Sequence, residues 1–134
     1  MSLFGALNVS GSGVDAAQVW INTTAGNIAN ANDTVSTSSP VYAEQTPYFQ
    51  PIGIPGQVGD GVQVSSVQLG STAGTIAYQP GNPVADGKGD VRVANVDLGS
   101  QMVGLITAQE DYQANASALA HGKHAYQSVL TIGS

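Results

Sequence analysis

The chain has no cysteine, one tryptophan and only three basic residues in 134 positions. Without cysteine there are no disulfides and no thiolate chemistry, and the sulfur ligands common in zinc sites are absent. The shortage of positive charge excludes more. Lys88 is the first basic residue, followed only by Arg92 and Lys123, against nine acidic residues and a formal net charge of −6. No basic patch can be assembled from these, so a nucleic-acid backbone and an anionic lipid surface both lack their usual counter-charge. No apolar run approaches the roughly 18 residues of a membrane span. The stretch from Met1 to Val9 carries no positive side chain and only a broken apolar run, so a cleaved secretory signal is not expected there.

Charged residues as a whole make up 9% and aromatics 6%, the former well under the roughly one quarter usual in globular domains. A free monomer depends on charge to stay apart from its neighbours. A surface rich in Ala, Ser, Thr, Asn, Gln and Gly is better suited to being covered by other subunits. The length is that of one ordinary domain.

What is present is distributed unevenly. All six prolines fall between Pro40 and Pro83, and nine of the seventeen glycines between Gly53 and Gly89, so the middle of the chain is built from turns and short strands. The two ends carry helical patterns instead. Leu7, Val14, Ile21 and Ile28 recur every seven residues, with Ala17, Thr24 or Ala25, and Ala31 at intermediate places. Gly11, Ser12 and Gly13 weaken this stripe, and Ser12 followed by Asp15 has the form of a capping box, so a break near residue 11 is an expectation to test. At the other end Leu98, Leu105, Tyr112, Leu119 and Tyr126 form one seven-residue ladder. Met102, Gln109, Ala116, Lys123 and Leu130 form its expected companion.

Asn95 or Asp97 supplies a cap before this C-terminal helix, and Gly133 lies just past its end. At about 1.5 Å per residue the segment from Val96 to Leu130 would reach roughly 50 Å, more than one small core can cover. The N-terminal helix is the obvious partner within the chain. Between the helices, Gly61 to Leu69 alternates with one slip of phase, and Thr75 to Tyr78 and Val91 to Val93 are further short strand candidates. Ser36 to Ser39 reads as a flexible loop. The expected fold class is therefore α+β, with long N- and C-terminal helices paired antiparallel in a coiled-coil-like manner around a small β-rich insertion. Its parts are 1–32, 33–94 and 95–134, forming one structural unit.

Chemical sites are scarce. His121 and His124 sit three apart on the C-terminal helix, but two imidazoles without further ligands do not make a zinc site. Asp86, Gly87, Lys88, Gly89 and Asp90 lack the spaced oxygens and terminal glutamate of a calcium loop, and read better as a turn before a strand. Glu44 and Glu110 are the only glutamates and lie in different elements, and no serine sits in a nucleophile turn. No catalytic, cofactor or metal site is expected. Trp20, Met102, Tyr112 and Tyr126, at helical spacing, are assigned to core or interface.

Two segments resemble the flagellar rod and hook axial proteins. Asn27, Ile28, Ala29, Asn30, Ala31 and Asn32 match the signature that closes the N-terminal helix of that family. A longer set resembles its FlgC-type proximal-rod branch: Tyr78, Gln79, Pro80, Gly81, Asn82, Pro83, Val84, Ala85 and Asp86, then Gly89, Val91, Asn95, Val96, Asp97, Met102 and Val103, and finally Tyr112, Gln113, Ala114 and Asn115. Three residues depart from the pattern. Ala94 replaces a usual proline, Gln101 an acidic residue, and Glu110 a common arginine.

The resemblance implies a structural, non-enzymatic subunit of the rod, the helical drive shaft that crosses the periplasm and serves motility. It implies export through the flagellar type III apparatus without a cleaved signal peptide. The implied partners are further copies of the chain, the rod proteins FlgB and FlgF, and FliE; no cofactor is implied. The expected helix and subunit interface comprises Leu7, Val14, Ile21, Ile28, Leu98, Met102, Leu105, Tyr112, Leu119, Tyr126 and Leu130.

Overall fold

A computed structural model of the chain describes residues 3–53 and 60–132. Helix α1 spans Leu3–Ala29. It is followed by β1 (Thr34–Val35), β2 (Gln45–Ile52), β3 (Gly61–Leu69), β4 (Thr75–Tyr78) and β5 (Asp90–Val93), and the chain ends in helix α2, Leu98–Ile132. The architecture is α+β, two long terminal helices with a small antiparallel β insertion between them. The backbone divides into two compact units. One gathers residues 1–21, 47–66 and 106–134, the other residues 22–46 and 67–105. Each takes a portion of both helices.

In the first unit the helical segments run antiparallel. Phe4 meets Tyr126 edge to face with centroids 5.5 Å apart, while further along α1 Gly13 lies against Asn115, which is nearer the start of α2. The expected break near residue 11 does not occur, since α1 is continuous through Gly11, Ser12 and Gly13. The glycine has a packing role: a Cβ on Gly13 would stand 2.5 Å from Asn115 Oδ1. Ser12 is not a helix cap. Its hydroxyl donates to the Val9 carbonyl at 2.8 Å and accepts the Val62 N–H at 3.0 Å, tying the start of β3 to the helix. Gly61, at φ +132°, leaves room for that hydroxyl.

The second unit holds a three-stranded antiparallel sheet ordered β1-β5-β4. Thr34 pairs with Val93 and Val35 with Arg92, and on the other side of β5 the register runs from Thr75 opposite Val93 to Tyr78 opposite Asp90. Val91 is fully buried at the centre, with Val41, Ala31 and Ala94 buried nearby in the same unit. Ser36 to Ser39, expected to be a flexible loop, forms an organised turn. Ser39 N–H donates to the Ser36 carbonyl, and Arg92 donates from Nη2 to the Thr37 carbonyl and from Nη1 to the Ala73 carbonyl.

β2 and β3 form a separate two-stranded sheet, and β2 was not foreseen. Gly70 N–H donates to the Glu44 carbonyl at one end and Asp60 N–H to the Ile52 carbonyl at the other. Those acceptors, Glu44 just before β2 and Ile52 at its end, are both even-numbered, so strand alternation turns the nitrogens of Pro47 and Pro51 to the unpaired edge, where proline is tolerated. The matching stretch of β3 is longer than that of β2.

The C-terminal helix starts where Asp97 caps it. Asp97 Oδ1 accepts the N–H groups of Gly99 and Ser100 at 3.0 and 3.2 Å, and its Oδ2 accepts the Ser100 hydroxyl at 3.0 Å. These bonds, those from Ser100 first, hold the Asp97 carboxyl below the usual aspartate range. The expected closing residue, Gly133, lies outside the described residues.

Candidate assembly surface

Asn27, in the first family-like segment, is 1% exposed and uses its whole amide. Its Nδ2 donates to the Gln45 carbonyl at 2.8 Å and to Gln101 Oε1 at 3.0 Å. Its Oδ1 accepts the Tyr42 hydroxyl at 2.9 Å and the Gln45 N–H at 2.8 Å. Gln101 Nε2 in turn donates to Glu44 Oε1 at 2.7 Å. A buried amide is tolerated when every donor and acceptor is used, and its side chain then joins α1, the approach to β2, and α2 at one point. The Tyr42 phenol is pushed above its ordinary value, first by burial and then by the charge of Glu44, so it remains the donor this geometry requires.

The remaining asparagines of that segment end the helix. Asn30 Nδ2 donates to the Gly26 carbonyl at 2.8 Å, whereas Asn32 is exposed, as is Ala29, and Ala31 is buried. In the second segment, Asn82 accepts the Val84 N–H and donates to Gln79 Oε1, a compact turn built around Pro80, Gly81 and Pro83. Asp86 Oδ1 accepts the N–H groups of Lys88 and Asp90, and Gly89 sits at φ +85°. The run from Asp86 to Asp90 is thus the turn before β5. Asn95 and Gln113 are exposed, and Tyr112 is half-buried. His121 and His124 are exposed on α2, and among the described residues no three His, Cys, Asp or Glu side chains gather where a metal ion could sit.

Two of the three departures have local reasons. Ala94 is buried and its N–H donates to the Asp33 carbonyl at 3.0 Å, a bond proline cannot make. Gln101 stands beside Glu44 in the clamp, where an acid would set two carboxylates together. Glu110 is exposed, and nothing in the structure explains it.

The helix ladders are covered unevenly. In α1 the buried row is Ala17, Thr24 and Asn27, with Ala16 and Thr23 alongside, while Leu7, Val14, Ile21 and Ile28 are half-buried beside it. In α2, Leu105, Tyr112 and Leu119 are half-buried. Their companions on the covered side are Gln101, Ala108, Asn115 and Gly122, each one position earlier than the expected Met102, Gln109, Ala116 and Lys123. Met102, Gln109, Lys123 and Leu130 are exposed instead, while Ala116 is half-buried like its neighbour Asn115. Small and amide side chains permit close helix approach, so hydrophobicity alone misplaced this row.

The result is a thin core. The largest fully buried side chains are Val91 and Asn27, whereas Phe4, Leu98, Met102, Val103, Ile106, Tyr126, Val129, Leu130 and Ile132 on the helices are exposed, as are Leu69, Ile76 and Tyr78 on the strands. Among the described residues, no helix is long and apolar enough to cross a membrane.

Known proteins are similar in sequence along nearly the whole chain. The family model described as flagellar basal body rod FlgEFG protein C-terminal matches residues 89–132, which include β5 and α2. The flagellar basal-body rod protein FlgC of Yersinia enterocolitica is 36% identical, with 99% of each chain covered. That of Salmonella typhimurium is 35% identical over the same share, and that of Borreliella burgdorferi 30% identical over 98% of each. With relatives of this identity over nearly the full length and both motif segments in place, the chain belongs to the flagellar basal-body rod protein FlgC family.

Proposed function

We propose that this chain is a structural subunit of the proximal rod of the bacterial flagellar basal body, polymerising into the shaft that transmits torque, and that it catalyses no reaction. One observation carries the reading: among the described residues the largest side chains fully enclosed by the fold are Val91 and Asn27, while Leu98, Met102, Val103, Ile106, Tyr126, Val129, Leu130 and Ile132 of α2 stay exposed. Burying apolar surface yields about 25 cal/mol per Å², so lateral packing of neighbouring subunits supplies stability that the lone chain lacks. Residues 1–32 and 95–134 act as the axial core and 33–94 as the insertion.

The proposed contact residues are Leu98, Met102, Tyr126 and Leu130 toward neighbouring subunits. Leu7, Val14, Ile21, Ile28, Leu105, Tyr112 and Leu119 serve between the helix seam and the neighbours. A repeating head-to-tail contact yields an open helical filament. Its neighbours are further copies, FlgB and FlgF, with FliE at the base, reached after export through the flagellar type III apparatus. Deleting the gene in its host tests this directly: loss of motility and of assembled hooks, both restored by the intact gene, is the expected result. Hooks that form normally without it would overturn the assignment.

A further inference from the structure

Resting on the rod reading, one feature of the first unit points to a particular contact. Gly13, Ala16, Ala17, Trp20, Phe49, Val62, Asp111 and Asn115 line an open pocket of about 180 Å³. That is below the roughly 300 Å³ at which small-molecule sites begin, and on the scale of a single long side chain. Its wall is aromatic: Trp20 and Phe49 are tilted at 56° with centroids 6.1 Å apart. Among the described residues the only charge in its lining is the Asp111 carboxylate, and Glu110 beside it in sequence is also exposed.

We propose that this pocket receives an arginine side chain from a neighbouring subunit of a different protein. A guanidinium stacks on aromatic faces and forks onto a carboxylate, which suits a site offering both, and its aliphatic stem covers the alanine floor. Charge complementarity favours a cation, since the chain carries −6 overall. A second copy is a poor source. Arg92 is the only arginine in the sequence, and both its terminal nitrogens already donate to the Ala73 and Thr37 carbonyls.

Trp20 is the sole tryptophan, so its fluorescence reports directly on the pocket. The intact protein is titrated at low ionic strength with N-acetyl-arginine methylamide and with the citrulline, lysine and norleucine analogues. Arginine is expected to bind about fivefold more tightly than citrulline, a preference that weakens in high salt. Asp111→Asn should bring the two within about twofold, and Phe49→Leu should lower arginine affinity without removing the charge preference. Equal binding of arginine and citrulline, or a preference that survives Asp111→Asn, overturns the proposal. So does tighter binding of norleucine, which would make the pocket an aliphatic socket, or equal binding of lysine, which would readmit a second copy. Failure of these titrations while gene deletion still abolishes hooks removes the arginine contact and leaves the rod reading standing.

Discussion

The two terminal helices differ in what they hide. α1 buries Ala16, Ala17, Thr23, Thr24 and Asn27, whereas α2, with 35 residues, has Ala108 as its buried residue. α1 is a support whose surface the chain itself largely uses up, by seating Asn115 over Gly13, β3 over Ser12 and the polar clamp around Asn27. α2 is only partly engaged by its own chain, and its apolar residues beyond the seam stay exposed. Exposed apolar residues on one helix therefore say more about assembly than the mean composition of both.

That contrast breaks most visibly at Asn27. Asn27→Ala removes the partner of the Tyr42 hydroxyl, of both polar groups of the Gln45 backbone and of Gln101 Oε1 at a part-buried site. A loss of about 3 kcal/mol in urea unfolding is expected. The same truncation at the exposed Gln113 of α2 should change stability by less than about 0.5 kcal/mol. If the two substitutions cost the same, the helices are not divided in role as described.

Gly13→Val tests the seam between them. Its Cβ would meet the Asn115 amide, so a destabilisation of about 2 kcal/mol is expected. Shortening the opposing side chain in the double variant Gly13→Val, Asn115→Ala should recover part of it, and additive losses would mean the two residues are not in contact.

On the uncovered side the sign of the result differs between assays. Val103→Ser with Ile106→Ser replaces side chains that are 65% and 57% exposed. The monomer should melt within a few degrees of the parent, while hook-bearing basal bodies in the host fall sharply in number. Unchanged assembly would take this surface out of the interface.

How much of this was legible in the sequence depended on what kind of force places each residue. β3 and β4 were found at their observed bounds because alternation and flanking turn residues act locally. β2 was hidden because Pro47 and Pro51 read as breakers, and only the knowledge that one edge of the strand is unpaired makes them acceptable. Gly13 reads as a weakness of α1 in the sequence because its partner, Asn115, is distant along the chain. The clamp was half visible. Asn27 and Gln101 stood out in the motif comparison, but Tyr42, Glu44 and Gln45 fell in a stretch without periodicity, and no local signal separates a buried hydrogen-bonded polar residue from an exposed one.

The smallest effect expected concerns acid. Asp97, at the start of α2, and Asp86, in the turn before β5, both have carboxyls held below the ordinary aspartate value. For Asp86 the cause is first the N–H of Asp90, then that of Lys88; for Asp97 it is the N–H and hydroxyl of Ser100, then the N–H of Gly99. A carboxyl whose value is depressed on folding adds stability above its unfolded value near 3.9, and that contribution disappears as pH falls through the folded value. The parent should therefore lose more stability between about pH 5 and pH 2 than a variant carrying Asp97→Ala, because the variant no longer has that cap to protonate. Both groups are exposed, so salt screens the charge part of the effect, and the difference should narrow in high salt without vanishing while the Ser100 hydrogen bonds persist. A variant whose acid loss equals the parent's would mean that Asp97 does not hold the end of α2.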